Sequence, residues 1–292
     1  MSARKGHRAG GGKPAHILPH MHDTVAILGA GAIGELLAGG LLRAGWERRD
    51  LVLAARRPER QKEIELRAGV RTLLDAAEAA RGHRVVVVAV KPGDVRSLIE
   101  QIRPVITPDQ VILSLAAGVP TQVFEEVFGN VPVVRAMPNT PALFGEAISA
   151  YCAGRFVGPE ALSAAVGVLA AVGQTILLDE PLLDAVTAVS GTGPAYVFLL
   201  AEALIEAAIR EGIPRHAAER LVKQTARGAG MLLADLDTSP EQLRAQVTSP
   251  GGTTAAAVHV LEERGFRALV EDAVQAAAER SRELGRRAGG GV

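Results

Sequence analysis

Thr24-Val25-Ala26-Ile27-Leu28-Gly29-Ala30-Gly31-Ala32-Ile33-Gly34 decides the fold of this chain. Apolar residues suited to a buried strand run into glycines spaced G-x-G-x-x-G and pass without a break into an apolar helical period over 33–44. A strand, a tight glycine turn and a helix in that order form the dinucleotide-binding fingerprint. Gly29 allows the turn, Gly31 lets backbone approach a pyrophosphate, and Gly34 allows the helix to lie close on the strand. Leu28, Ala32 and Ile33 complete the turn, and the helix start offers N–H donors to phosphate. These six positions are the first candidate cofactor contacts.

Outward from this unit, short apolar runs alternate with amphipathic helical windows, the pattern of βα units around a mostly parallel sheet. Strands are expected at 24–28, 51–54, 84–89, 111–114 and 133–136, each almost continuously apolar, as strands covered on both faces are. Helices are expected at 33–44, 73–81, 94–102 and 121–128. Two more runs, 147–152 and 174–178, flank a helix over 159–169 and would complete the sheet at one edge. Residues 23–179 thus read as a Rossmann-type α/β domain. After Pro181 the short strands give way to long Ala/Leu-rich periods at 195–211, 215–233, 255–263 and 266–284, so 180–286 read as an all-α domain. Ala201, Ala203, Ala207 and Ala208 stand beside Leu199, Leu200, Leu204 and Ile205, so more than one face is apolar. A small helical domain of this kind needs another chain to complete its core, and a homodimer is expected.

Composition narrows the function classes. Lys plus Arg equals Asp plus Glu, 32 each among 292 residues, so no global field recruits nucleic acid or a membrane surface. The single cysteine, Cys152, allows no intramolecular disulfide, and no His or Cys cluster builds a metal site, which fits a reducing cytoplasm. Gly, Pro and charge interrupt the apolar runs before the roughly 20 residues of a membrane span. Residues 1–22 carry Arg4, Lys5, Arg8, Lys13 and four histidines with no acid, and read as a disordered basic tail. Residues 287–292 read as a frayed end.

The end of the second strand bears on the choice of cofactor. NAD-specific proteins place an acid there for the ribose 2′-hydroxyl, whereas this chain reads Ala54-Ala55-Arg56-Arg57-Pro58. Two guanidiniums suit a 2′-phosphate, so NADPH is expected in preference to NADH; the plainer alternative is a pair of solvated loop arginines. Later loops at strand ends add candidates. Ala89-Val90-Lys91-Pro92-Gly93-Asp94 carries a lysine that is either a phosphate or substrate contact or a loop lysine. Ala116 and Ala117 are small enough for a ring or ribose to come close. Asn139, held with Thr140 between Pro138 and Pro141, either presents its amide near the nicotinamide or serves an Asx-type turn.

A second glycine turn, Ser249-Pro250-Gly251-Gly252-Thr253-Thr254, opens into the helix expected from Ala255. Its start leaves N–H groups unpaired and attracts anions, although a Thr or Ser there is also the usual helix cap. Nothing in a dinucleotide-binding domain requires such a turn. His259 on the following helix has no acid at helical spacing and reads as a packing or surface residue.

Gly29–Gly34, Ala89–Pro92, 136–141 (Ala-Met-Pro-Asn-Thr-Pro), 190–196 (Ser-Gly-Thr-Gly-Pro-Ala-Tyr) and the 249–254 turn with its continuation into Val260-Leu261-Glu262-Glu263 occur together. In this combination the chain resembles the Δ1-pyrroline-5-carboxylate reductases over 23–285. The resemblance implies NAD(P)H-dependent reduction of a cyclic imine to proline by hydride addition at C5, a helical dimerisation domain, and dimers often gathered into larger rings. It also implies that Ser249, Gly252, Thr253 and Thr254 hold the substrate carboxylate, with the Thr254 hydroxyl at the ring nitrogen as the catalytic group. Glu180 aligns with a substrate-side position, though Asp179-Glu180-Pro181 is equally a helix-start acid cluster. Asp237 is a weaker candidate across the dimer. Ala76 departs from an asparagine that touches cofactor in some members, and Thr192 stands where serine is usual. The competing readings are a β-hydroxyacid or ketopantoate-type reductase, whose helical domain needs a catalytic lysine that Lys223 does not resemble, and a non-catalytic NADPH sensor.

Overall fold

The computed structural model describes residues 23–234 and 237–288. The expected basic tail and the last four residues lie outside the described residues. Eight strands form one sheet: β1 (Val25–Leu28), β2 (Leu51–Ala54), β3 (Arg71–Leu73), β4 (Val85–Val88), β5 (Val111–Ser114), β6 (Val133–Met137), β7 (Ala147–Ala153) and β8 (Gly173–Leu177). Their order is β3-β2-β1-β4-β5-β6-β7-β8. The first six run parallel; β7 pairs antiparallel with β6, and β8 runs parallel to β7. Every residue of β1, β2, β4 and β5 is buried, which is why these strands lack polar alternation.

Helices α1 (Ala32–Arg43) and α2 (Pro58–Ala68) lie on one face, α3 (Ala76–Ala80), α4 (Val95–Ile102) and α5 (Thr121–Phe128) on the other. α6 (Pro159–Ala170) joins the first face through Ala161, Ala164, Ala165, Val168 and Leu169. Several elements differ from expectation, β3 and α2 in the sheet domain and the short helices Leu183–Val186 and Pro240–Gln246 beyond it among them. The helix expected from 73 begins only at Ala76, because Leu73 belongs to β3, an edge strand too short to show a period. α2 was not expected at all: only Ile64 on it is buried, so it carries no apolar stripe.

Beyond β8 the chain is helical. α7 (Leu183–Val186) continues through a π-helical turn over Thr187–Gly191 into α8 (Gly193–Arg210). Then follow α9 (Arg215–Leu233), α10 (Pro240–Gln246), α11 (Thr253–Glu263) and α12 (Phe266–Ala288). α12 runs to Ala288, two residues into the end expected to be frayed from 287. The stretch Glu180–Arg210, 31 residues, is long and apolar enough by length and composition to cross a membrane, contrary to the expectation that none is.

The helical region is tied to the sheet domain chiefly through α7 and α12, while much of α8 and α9 is bare. α7 packs Leu183 on Ala150 and Cys152 of β7. α12 comes back over the turn after β5, where a Cβ on Gly285 would stand 2.0 Å from the Gly118 carbonyl oxygen and one on Gly118 (φ +76°) 2.4 Å from that of Ser281. α8, by contrast, buries none of its residues. Phe198 is 61% exposed and Leu199 66%, with Leu221, Met231, Leu232 and Leu269 also open. Contiguous apolar surface on this scale marks an interface.

The Gly285–Gly118 crossing has a definite energetic sign. In an exposed helix Gly→Ala stabilises by about 1 kcal/mol, but here the added methyl meets backbone, where overpacking costs about 1–3 kcal/mol. Gly285→Ala is expected to be net destabilising in urea unfolding; a gain of about 1 kcal/mol would mean that the crossing is looser than described.

Candidate functional site

β1 lies between β2 and β4, so the loops after β2 and β4 wall a crevice above the end of β1. The cleft there measures about 500 Å³. Its floor is the glycine turn. Gly29 holds φ +123°, and a Cβ on it would stand 2.5 Å from the Ala89 carbonyl oxygen; one on Gly34 would stand 2.0 Å from that of Gly29. A Cβ on Gly31, in contrast, meets nothing within 4 Å. Gly29 and Gly34 are therefore required by the protein's own packing, and Gly31 keeps open a space for something else. Gly31 is also the N-cap of α1 and supplies no side-chain cap, so the first N–H groups of α1 are free for an anion.

An acid in the first turn of α1 would oppose a pyrophosphate, and Glu35 sits there. Its charge is drawn off: Glu35 pairs with Arg60 at 2.5 Å and Arg67 at 2.7 Å. Arg60 also donates from Nε to the Ala30 carbonyl at 2.9 Å, pinning the glycine turn. The Glu63 carboxylate first, then Glu35, hold Arg60 above its ordinary pKa. Arg60 is thereby committed to the turn, which leaves Arg56 and Arg57 as the rim cations after β2. Arg56 reaches across the crevice to Asp94, on the loop after β4, at 2.8 Å.

The cleft brings together Leu28, Gly29, Gly31, Arg56, Arg57, Ala89, Val90 and Lys91 of the expected set. It does not include Ala32, Ile33, Gly34, Pro92, Ala116, Ala117 or Asn139 in its lining. Ala32 and Ile33 still contribute backbone at the α1 start, and Ala116 and Ala117 precede the Gly118 turn under α12. Asn139 is engaged elsewhere: its amide donates to the Ser190 carbonyl at 3.2 Å and accepts from the Ile148 N–H at 3.1 Å. It thus ties β7 to the π-helical turn, a long-range use of the amide in place of a local Asx turn. In that turn, Thr192 N–H bonds five residues back to the Thr187 carbonyl at 2.9 Å. The Ala188 carbonyl accepts from the Thr192 hydroxyl at 2.7 Å and Tyr196 at 3.0 Å. Thr192 therefore uses its hydroxyl internally.

Sequence reasoning missed Arg60, Ser97 and Gln101 in the cleft and gave Asp94, at the end of the 89–94 loop, no role of its own; Ala76 does line it. It also missed Arg135, which is buried on β6 and pairs with Asp184 at 3.2 Å and Glu180 at 3.5 Å. Ser281 of α12 donates to the same Asp184 at 2.8 Å. A lone arginine inside an apolar strand was the available signal, since a buried guanidinium demands acid partners. Glu180 further accepts from the Thr121 N–H at 2.7 Å and hydroxyl at 2.9 Å, so its carboxylate anchors the start of α5. Beside it, burial first and the Glu180 charge second push the Cys152 thiol up to about 11, leaving it a protonated packing group.

The second glycine turn stands apart from this cleft, whose lining includes none of Ser249, Gly252, Thr253 and Thr254. α11 begins at Thr253 with Gly252 as N-cap and no side-chain cap, so the ordinary capping role expected of its hydroxyls is not taken up. A Cβ on Gly252 would stand 2.3 Å from the Ser249 hydroxyl and 3.2 Å from the Ser249 carbonyl oxygen, so a larger residue would displace the serine side chain from the turn. The α11 start leaves the Thr253 and Thr254 N–H groups without a side-chain cap, while that of Gly252 donates to the Ser249 carbonyl at 3.0 Å. Among the described residues no group of three or more His, Cys, Asp and Glu is placed to hold a metal.

Comparison with known proteins fits both halves. Residues 180–284 match the family described as pyrroline-5-carboxylate reductase dimerisation, and residues 24–118 match NADP oxidoreductase, coenzyme F420-dependent. The pyrroline-5-carboxylate reductase of Mycobacterium tuberculosis is 42% identical over 89% of this chain and 96% of its own. That of Pseudomonas aeruginosa is 40% identical over 91% and 98%. The solved structure of the Plasmodium falciparum enzyme with NADP bound superposes with a TM-score of 0.82 at 30% identity, covering 90% of this chain and 98% of that one.

The bonds of Glu180 separate two roles. As an anchor, Glu180→Gln is expected to cost about 1–3 kcal/mol of unfolding free energy and to leave substrate KM within about twofold, since the loss falls on folding. Unchanged stability with a raised KM would instead place Glu180 at the substrate.

Proposed function

Because the chain belongs to the pyrroline-5-carboxylate reductase family, we propose that it reduces Δ1-pyrroline-5-carboxylate to L-proline, with NADPH as preferred donor and NADH as a second. The sites in this reading are completed between two copies of the chain. The observation that carries it is the uncapped, donor-lined start of α11, an anion cradle with a free hydroxyl beside it.

The open space at Gly31 and the uncapped α1 start fit the pyrophosphate of a dinucleotide, and Arg56 and Arg57 fit a 2′-phosphate. When bound, the dinucleotide supplies the hydride for the C5 imine carbon. The chain's task is then positional. A cyclic imine nitrogen is basic enough to be protonated in good part near neutral pH, so no strong general acid is needed; the ring must be held in place. The N–H groups of Thr253 and Thr254, with the helix dipole behind them, hold the carboxylate, while that of Gly252 donates to the Ser249 carbonyl at 3.0 Å and shapes the turn. The Thr254 hydroxyl accepts from the protonated imine and donates to the product amine.

Self-association follows from the apolar faces of α8 and α9, which another copy covers in this reading; a homodimer is the smallest assembly that does so, and rings of dimers are compatible with it. A cytoplasmic location belongs to the same reading, supported by Cys152, a lone buried thiol.

Oxidation of NADPH on addition of pyrroline-5-carboxylate, followed by absorbance, tests the activity. Saturable NADPH binding without turnover would favour the sensor. In the same assay Thr254→Ala is expected to lower kcat/KM about tenfold to several hundredfold, the worth of a polar contact to a charged group. Unaltered kinetics would remove Thr254 from the mechanism.

A further inference from the structure

The crevice above β1 is crossed by one ion pair, Arg56 to Asp94 at 2.8 Å. Arg56 belongs to the wall after β2 and Asp94 to the wall after β4, and both line the cleft. The pair does little for the fold. Its side chains are 67% and 39% exposed, and such pairs contribute about 0–1 kcal/mol. Asp94 is also not spent on its own helix: it stands at the N-cap of α4 without making a side-chain cap bond. What remains is its position, a carboxylate held against one of the two guanidiniums that face the ribose end of a dinucleotide.

We infer that Asp94 is a specificity-determining residue that sets the balance between phosphorylated and unphosphorylated dinucleotides by competing for Arg56. The inference rests on the reading of the cleft as a dinucleotide site. The end of β2 has no carboxylate, and Asp94 supplies one from the opposite wall. With a plain 2′-hydroxyl, Asp94 keeps Arg56 neutralised and offers the hydroxyl an acceptor, the service that an acid at the end of β2 performs in NAD-specific proteins. With a 2′-phosphate, the more highly charged group takes over Arg56 through charge-assisted bonds, and Asp94 is released to solvent. The cost of that release is subtracted from the affinity for the phosphorylated ligand only. One side chain thus moderates a preference for NADPH that two unopposed arginines would make stronger.

The test uses full-length protein at low ionic strength, where exposed pairs are least screened, with adenosine 2′,5′-bisphosphate and AMP as probes in calorimetric titration. Asp94→Asn is expected to tighten the bisphosphate about threefold to fivefold, the fold-change that corresponds to an exposed pair. AMP binding is expected to stay the same or weaken. The gain should vanish in an Arg56→Ala background, because the competition has lost its object. An unchanged bisphosphate affinity, or equal tightening of both probes, overturns the inference. So does a gain that survives Arg56→Ala, since that is the mark of a diffuse field. A bisphosphate that binds every variant no better than AMP defeats the NADPH reading itself and this inference with it. Melting temperatures of the variants, expected to match the parent, exclude misfolding as the source of any difference.

Discussion

The constraint on which the rest depends is that α8 and α9 cannot bury their apolar faces within one chain. α8 has no buried residue, and Phe198, Leu199, Met231 and Leu232 lie open. Each such side chain is worth about 1.5–3 kcal/mol when covered, so leaving the whole surface in water would forfeit more than the net stability of an ordinary domain. Covering it with a second copy has a consequence for the proposed chemistry. The α11 turn lies outside its own chain's cleft, and the same pairing that buries α8 is what would carry that turn to the cleft of the neighbour. On this reading assembly and catalysis are one requirement.

A pairing of that kind needs the helices to leave the sheet at a defined angle. Two contacts define it. Arg135 on β6 gathers Glu180 and Asp184 beside α7, and Ser281 brings α12 to the same Asp184. The Gly118–Gly285 approach then presses α12 against the turn after β5, close to the cofactor crevice. A buried charge cluster is poor value for stability alone, but its geometry is directional, and here it orients a helical arm that has few other contacts with the sheet.

Much of the fold was legible because parallel strands covered on both faces read as plain apolar runs, Val85-Val86-Val87-Val88 being the clearest. β3 escaped notice with three residues and an exposed Arg71, and α2 because Ile64 alone is buried on it. The site divides in the same way. Gly29, Gly31 and Gly34 are local in sequence and carry their reasons with them. Asp94 faces Arg56 only because β4 lies beside β1 in the sheet, and Asn139 meets Ser190 only through the π-helical turn. Such pairings are created by strand order and helix register, and a linear reading does not reach them.

The shared site is tested most directly by mixing two impaired chains and reading the activity gained over the unmixed average. Gly31→Val blocks the pyrophosphate space without meeting other protein atoms at its Cβ, and Thr254→Ala removes the hydroxyl from the α11 turn. If the cleft of one chain works with the turn of the other, each mixed dimer holds one intact site and one doubly damaged site. Random exchange of equal amounts then restores about a quarter of the parent activity, since half the dimers are mixed and each has one working site of two. If cleft and turn serve the same chain, every site keeps a lesion and mixing adds nothing to the average of the unmixed chains, which would contradict the account.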